Sequence, residues 1–187
     1  MRARAAAIDK ALADTHIADA HSPRATTHAP RKRTRRGPVH RSDIPTLGSG
    51  VSVAPSTIEG AGNGLFADQA FRKGEYVTFV DGPVVSAAIL KQRPLEMLTH
   101  VRTLMTNFSA IDAPVKPRRG MGGGSFANDA RTSRMNNVKF VNKECSDAVQ
   151  DGMICVLEAT RDIAPGEEVF VSYGAGYWRR FSERTRK

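Results

Sequence analysis

Gly166-Glu167-Glu168-Val169-Phe170-Val171-Ser172-Tyr173-Gly174 reads as a tight turn, a short strand and a stop. Val169 to Ser172 is rich in β-branched and aromatic residues, which suit a pleated, half-buried segment, and the strand ends on a tyrosine followed by glycine. The stretch has an echo upstream. Ala67-x3-Phe71-x2-Gly74-Glu75-x-Val77 and Ala159-x3-Ile163-x2-Gly166-Glu167-x-Val169 share one spacing, as if a strand-turn-strand unit occurred twice. In each copy Gly supplies the positive φ that a tight turn can demand, and Phe71 or Ile163 plugs the hairpin from its apolar side.

Further strands are expected at Val51 to Val53, Tyr76 to Val80, Val138 to Val141 and Met153 to Ala159, separated by turns. One helical segment interrupts them. Ser86 is placed to cap Ala87 to Lys91, and after Pro94 the run Leu95 to Met105 carries apolar residues at three- and four-residue spacing, an amphipathic pattern. The folded domain is expected to start near Leu47, giving a tail over 1–47 and one domain over 48–187, which is long enough for a single sizeable core.

Two glycine-containing segments flank the chemistry. Glu59-Gly60-Ala61-Gly62-Asn63-Gly64, continuing into Leu65-Phe66-Ala67, lacks bulk, so peptide groups there are open to close approach by a ligand. It shows no phosphate-binding strand-loop-helix pattern, and read alone it is a flexible hairpin turn. Gly122-Gly123-Gly124-Ser125-Phe126-Ala127-Asn128-Asp129-Ala130 read alone is an Asx-type turn beside a buried Phe126. Tyr173 read alone is a core tyrosine ending a strand.

In their order and surroundings these three segments resemble a SET-domain protein-lysine methyltransferase of the small, stand-alone kind. The resemblance covers roughly residues 48 to 180. It implies a mainly β fold with short helices, the β-clip of SET domains: several small curved sheets and a C-terminal pseudoknot, preceded in this chain by the disordered basic tail that its charge run and prolines indicate. S-adenosylmethionine is the implied cofactor, with Ala61, Gly62, Asn63, Gly64, Asn128, Asp129, Tyr173 and Trp178 at its site. Tyr173 takes the position of the family's catalytic tyrosine, which orients the lysine amine. Most of the gain in such a transfer comes from alignment of nitrogen, methyl carbon and sulfur. Val171 and Tyr177 are implied to line the lysine channel. The second segment departs from the family's Arg-Phe-Ile-Asn-His-Ser: Ser125, Asp129 and Ala130 replace Arg, His and Ser, and Asn136 replaces a following Pro. No cysteine cluster follows Tyr173, so zinc is not expected, and Tyr177 with Trp178 are left to complete the channel or cover the adenine.

Charge is unevenly divided. Residues 1 to 42 carry 10 Lys and Arg against three Asp, a net +7 of the chain's +9, so the body is near neutral. Arg31, Lys32, Arg33, Arg35 and Arg36 fall within six residues between Pro30 and Pro38, a run readable as a nuclear-import signal or a nucleic-acid contact. Residues 1 to 20 are Ala-rich with Ile8, Leu12 and Ile17 at loose helical spacing, but Asp9, Asp14 and Asp19 argue against an organellar transit peptide. Two cysteines, Cys145 and Cys155, fit a reduced compartment, and no apolar run approaches the roughly 20 residues that span a bilayer. With His100 the only histidine of the domain, the sequence argues against Ser/His/Asp hydrolysis, and His100 is expected to be structural or exposed. The expected function is methylation of a lysine in an extended protein segment, a histone tail above all, in a nucleus. The alternatives are an inactive SET-like binding module and a basic chromatin or nucleic-acid-binding protein.

Overall fold

The computed structural model describes residues 37–92, 101–103, 109–147 and 152–185. The basic run from Arg31 to Arg36, the Ala-rich start and His100 lie outside them. By contacts the chain divides after Arg33, and every described residue belongs to the second unit. Among the described residues, no helix is long and apolar enough to cross a membrane.

Among the described residues, ten short strands form three sheets. The first joins β1 (Thr46–Leu47), β2 (Gly50–Pro55), β3 (Asn63–Ala67) and β10 (Glu168–Val169) in that order; the second is β4 (Tyr76–Phe79), β9 (Met153–Ala159) and β8 (Val138–Glu144). The third is β5 (Val84–Ser86), β7 (Ser109–Asp112) and β6 (Val101–Thr103). β9 is central in its sheet, and its nearly unbroken apolar sequence is buried on both faces. The main core gathers Val51, Leu65, Val77, Leu157 and Val169 from the first two sheets, with Ile163 and Val171 from the segments on either side of β10.

The internal echo is a real pseudo-symmetry. Phe71 and Ile163 exchange both backbone bonds, at 2.9 and 2.8 Å. Gly74 N–H donates to the Ala159 carbonyl at 2.8 Å, as Gly166 N–H does to that of Ala67 at 2.7 Å. Ala159 N–H reaches the Glu75 carbonyl and Ala67 N–H that of Glu167. Even the side chains repeat, Glu75 Oε2 accepting from Arg72 N–H and Glu167 Oε2 from Ala164 N–H. Gly74 and Gly166 sit at φ +86° and +82°, the left-handed region that only glycine enters freely. Phe71 and Ile163 are both buried where the two units meet.

Two expectations are corrected. Ser86 does cap α1 (Ala87–Lys91), its hydroxyl accepting the Ile89 N–H. The amphipathic helix expected from Leu95 to Met105 does not reach Val101–Thr103, which is strand β6, paired with Asp112, Ile111 and Ala110 of β7; the remainder of that run lies outside the described residues. Two β-branched residues in three favour the pleated state once an edge is available to pair with. The packed body also reaches back past the expected start near Leu47. Val39 pairs with Cys145, Ile44 is buried, Arg41 bridges to Asp81 at 2.9 Å and stacks over Phe79.

The C-terminal end is threaded. After β10, Val171 N–H donates to the Asn128 carbonyl at 2.8 Å, while the Phe170 carbonyl accepts from Asn137 and Val138 N–H at 2.9 and 3.1 Å. Both ends of the 128–138 loop therefore grip the same two residues, the pseudoknot expected of the fold. The chain then turns at Gly174 into α2 (Ala175–Thr185).

Candidate active site

The threading brings the three motifs to one place. The glycine loop is the hairpin between β2 and β3, closed by Ser56 N–H on the Gly62 carbonyl at 2.8 Å and Ala61 N–H on that of Ile58. Gly62 and Asn63 are exposed where the returning limb of the loop enters β3, and a Cβ at Gly60 or Gly62 would meet nothing within 4 Å. Asn128 reaches across with its side-chain amide, Nδ2 donating to the Asn63 carbonyl at 3.0 Å. Since the Asn128 carbonyl also takes the Val171 N–H, this one residue ties the loop, the Asn-Asp turn and the last strand together.

Tyr173 is half-buried at the strand end. Its backbone N–H donates to Asp129 Oδ2 at 2.8 Å and its hydroxyl to the Ala127 carbonyl at 2.9 Å. Burial, and after it electrostatic repulsion of a phenolate by Tyr177 when that too is ionised and by the Asp129 carboxylate, push its pKa well above the ordinary phenol value. It is therefore a neutral hydrogen-bonding group at any physiological pH, not a base. Because its one proton goes to Ala127, the phenol oxygen keeps its lone pairs for another partner.

Aromatic rings surround it. Tyr177 meets Tyr173 edge-on with centroids 4.8 Å apart; Trp178 lies nearly parallel to Tyr173 at 6.1 Å, and the Arg131 guanidinium stands 4.0 Å over the Trp178 ring. Trp178 Nε1 donates to Asp129 Oδ2 at 2.8 Å. Burial pushes the Asp129 carboxyl up, but hydrogen bonds from Tyr173, Trp178, Arg131 and Asn136 outweigh it and hold its pKa below the usual value. Asp129, Arg131, Asn136, Ser172, Gly174 and Trp178 help to line a cavity of about 390 Å³, within the range of small-molecule sites. Val171 is 1% exposed and packs in the main core beside Val138, while Tyr177 is exposed at the surface.

Sequence reasoning passed over two buried polar anchors. Glu168, 5% exposed in β10, accepts from the Ser56 hydroxyl at 2.7 Å, Thr57 N–H at 2.7 Å and the Thr57 hydroxyl, which ties the glycine loop to the last strand. Gly64 leaves the room for it: a Cβ there would stand 2.1 Å from Glu168 Oε1. Asn137, fully buried, donates to the Glu168 carbonyl and accepts Phe170 N–H, both at 2.8 Å, locking the threaded strand. Arg131, at φ +58°, was likewise unmarked. The available signal was a second acid in Gly-Glu-Glu beyond the one the echo repeats, and a second Asn before β8.

This fold and this meeting of motifs define a class. The family model described as SET domain matches residues 62–174, more than half the chain, and the chain belongs to the SET-domain family. Members of that family are lysine methyltransferases. No curated protein matches the chain significantly. Among solved structures it is similar to "ctPRC2 in an autoinhibited conformation bound to S-adenosylmethionine", at 23% identity and TM-score 0.54 over 73% of this chain and 17% of that one. An active polycomb repressive complex 2 in the basal state gives 23% and 0.55 over 70% and 15%. A humanized mutant of the Chaetomium thermophilum Polycomb Repressive Complex 2 bound to an inhibitor gives 24% and 0.55 over 71% and 16%. These likenesses show the fold, and the chain spans about a sixth of the length of those proteins.

Proposed function

We propose that this chain is an S-adenosylmethionine-dependent protein-lysine N-methyltransferase that acts on a lysine in an extended segment, a histone tail in first place. The observation that carries the proposal is the joint placement of the exposed Gly62–Asn63 backbone, Asn128 bonded to Asn63, and a hydroxyl-bearing Tyr173 just beyond the threaded strand.

The residues suit the cofactor in kind. Its amino-acid end needs close access to peptide groups, which the exposed backbone at Gly62 and Asn63 offers, with Ala61 and Gly64 on either side and Asn128 bonded to Asn63; its ring needs flat apolar surface, which Trp178, bonded to Asp129, supplies. Bound there, S-adenosylmethionine would supply a methyl group on a sulfonium whose positive charge disfavours protonation of a nearby lysine. The chain's own part is alignment. Tyr173 is held by its N–H and its hydroxyl, so its phenol oxygen is fixed and offers lone pairs to the N–H groups of an incoming amine. Its raised pKa keeps it from drawing off a proton itself. Tyr177, edge-on to its ring, and Val171, two residues earlier in the chain, are the proposed channel walls.

A chromatin setting in the nucleus, with Arg31, Lys32, Arg33, Arg35 and Arg36 as import signal or nucleic-acid contact, rests on the charge run and the family resemblance. Calorimetry with S-adenosylmethionine in the presence of chelator tests the reading. Metal-independent binding is expected, and no heat and no thermal shift at millimolar cofactor would overturn it.

A further inference from the structure

Asp129 stands out within the site by what its carboxylate has to satisfy. Oδ1 accepts the backbone N–H of Arg131 at 2.8 Å and Asn136 Nδ2 at 3.1 Å; Oδ2 accepts the backbone N–H of Tyr173 and Trp178 Nε1, both at 2.8 Å. The residue is 7% exposed. Its four donors come from four places: its own turn, the lead-in to β8, the threaded strand end and the first turn of α2. A carboxylate alone answers all four, because a side-chain amide has one acceptor oxygen and would aim its own N–H₂ at two of the donors whichever way it turned. Leaving buried donors facing another donor is costly, and the arrangement would yield at that point.

We infer that Asp129 is a positioning residue for the transfer reaction: through one shared oxygen it fixes the backbone of Tyr173 and the indole of Trp178 together. The consequence for Tyr173 is direct. Its hydroxyl bond to the Ala127 carbonyl depends on where its backbone sits, and that backbone is bonded to Asp129. The consequence for α2 is that its first turn closes on the strand end, with the Trp178 ring held under the Arg131 guanidinium and beside the Tyr173 ring. The kinetic part of the inference rests on the methyltransferase reading; the latch itself rests on geometry alone.

The chain has a single tryptophan, so its indole N–H gives one resonance that reports on the latch without any cofactor. In the wild-type protein that proton should exchange with solvent about a hundredfold or more slower than in a free indole; exchange at the free rate overturns the latch. In Asp129→Asn the protection should be lost. In the same variant kcat should fall about tenfold or more while KM for the protein substrate stays within about threefold, since the loss is of alignment and not of substrate contact. Trp178→Phe removes one of the four donors and leaves Tyr173 bonded, so its fall in kcat should be smaller than that of Asp129→Asn. A kcat for Asp129→Asn equal to wild type, or a larger loss in Trp178→Phe, overturns the positioning role. Should Asp129→Asn fail to fold, wild-type indole exchange still decides the latch. A wild-type chain that neither binds cofactor nor transfers methyl groups overturns the proposed function, and the indole measurement then judges Asp129 separately.

Discussion

Gly64→Ala adds one methyl group at the seam between the glycine loop and the threaded strand. The φ of Gly64 is not in the left-handed region, so alanine meets no backbone strain there, only a lack of room. Its Cβ would stand 2.1 Å from Glu168 Oε1, 2.9 Å from Glu168 Cδ and 3.3 Å from Ser56 Cα. Glu168 has to move, and it is buried and bonded to the Ser56 hydroxyl and to both the N–H and hydroxyl of Thr57. Hydrogen bonds to a charged group contribute about 1.5–3 kcal/mol each, and the two hydroxyls recover part of theirs in water, so a cost of about 3–5 kcal/mol is expected. For a body of this size that is about 10 °C in melting temperature. Thermal unfolding of four proteins measures it: wild type, Gly64→Ala, Glu168→Ala and the double variant. With the carboxylate gone the clash is gone, so Gly64→Ala should cost under about 1 kcal/mol in the Glu168→Ala background. A single variant within about 2 °C of wild type, or equal costs in the two backgrounds, would refute the seam as described.

Acid should weaken the fold late. In Asp129 and Glu167 burial raises the carboxyl pKa, but hydrogen bonds, from Arg161 foremost in Glu167, bring both below their ordinary values. A depressed folded pKa gives stability that is full above the unfolded value and lost as pH falls through the folded one, so melting temperature should hold down to about pH 5 and drop below about pH 4; a loss that starts between pH 7 and 5 would contradict this. Deleting residues 1–36 should leave melting unchanged, whereas deleting 1–47 removes Ile44 and Leu47 from the core and the Arg41–Asp81 pair, a loss of about 4 kcal/mol or more from the two apolar side chains alone. Equal stability of the two truncations would contradict the early boundary. As the proposed channel wall, Val171, two residues before Tyr173, is small and apolar, so product masses should include di- or trimethyl-lysine; a wild type that stops at monomethyl-lysine would refute that view of the channel.

The parts of the fold that sequence conveyed were those written in local spacing. Phe71 and Ile163, each with an alanine four positions before it and a glycine three after, repeat closely enough that the paired units were visible before any contact was known, although nothing local said that the two would bond to each other. Met153 to Ala159 was legible because a central strand is apolar throughout. Val101 to Thr103 was not, because Leu95, Met97, Leu98 and Val101 satisfy a helical period and the strand that claims the segment lies beyond it in the chain. In the site, Tyr173, Asn128 and the glycine loop stood out by motif. Glu168 and Asn137 did not, since a buried acid or amide is identified by its partners, and those of Glu168 at Ser56 and Thr57 are more than a hundred residues away. Asp129 was visible as a departure from the family pattern, but its four donors became apparent only in three dimensions.

The most direct test of the account is methyl transfer itself. The full chain, labelled S-adenosylmethionine and core histones beside a panel of other proteins should yield label on lysine Nε. Tyr173→Phe, which removes the fixed phenol oxygen and one hydrogen bond of about 1 kcal/mol, should lower turnover by about a hundredfold or more with cofactor affinity nearly intact. Label on no lysine of any protein tested, or a Tyr173→Phe variant as active as wild type, would contradict the claim that this site is a lysine methyltransferase built around Tyr173.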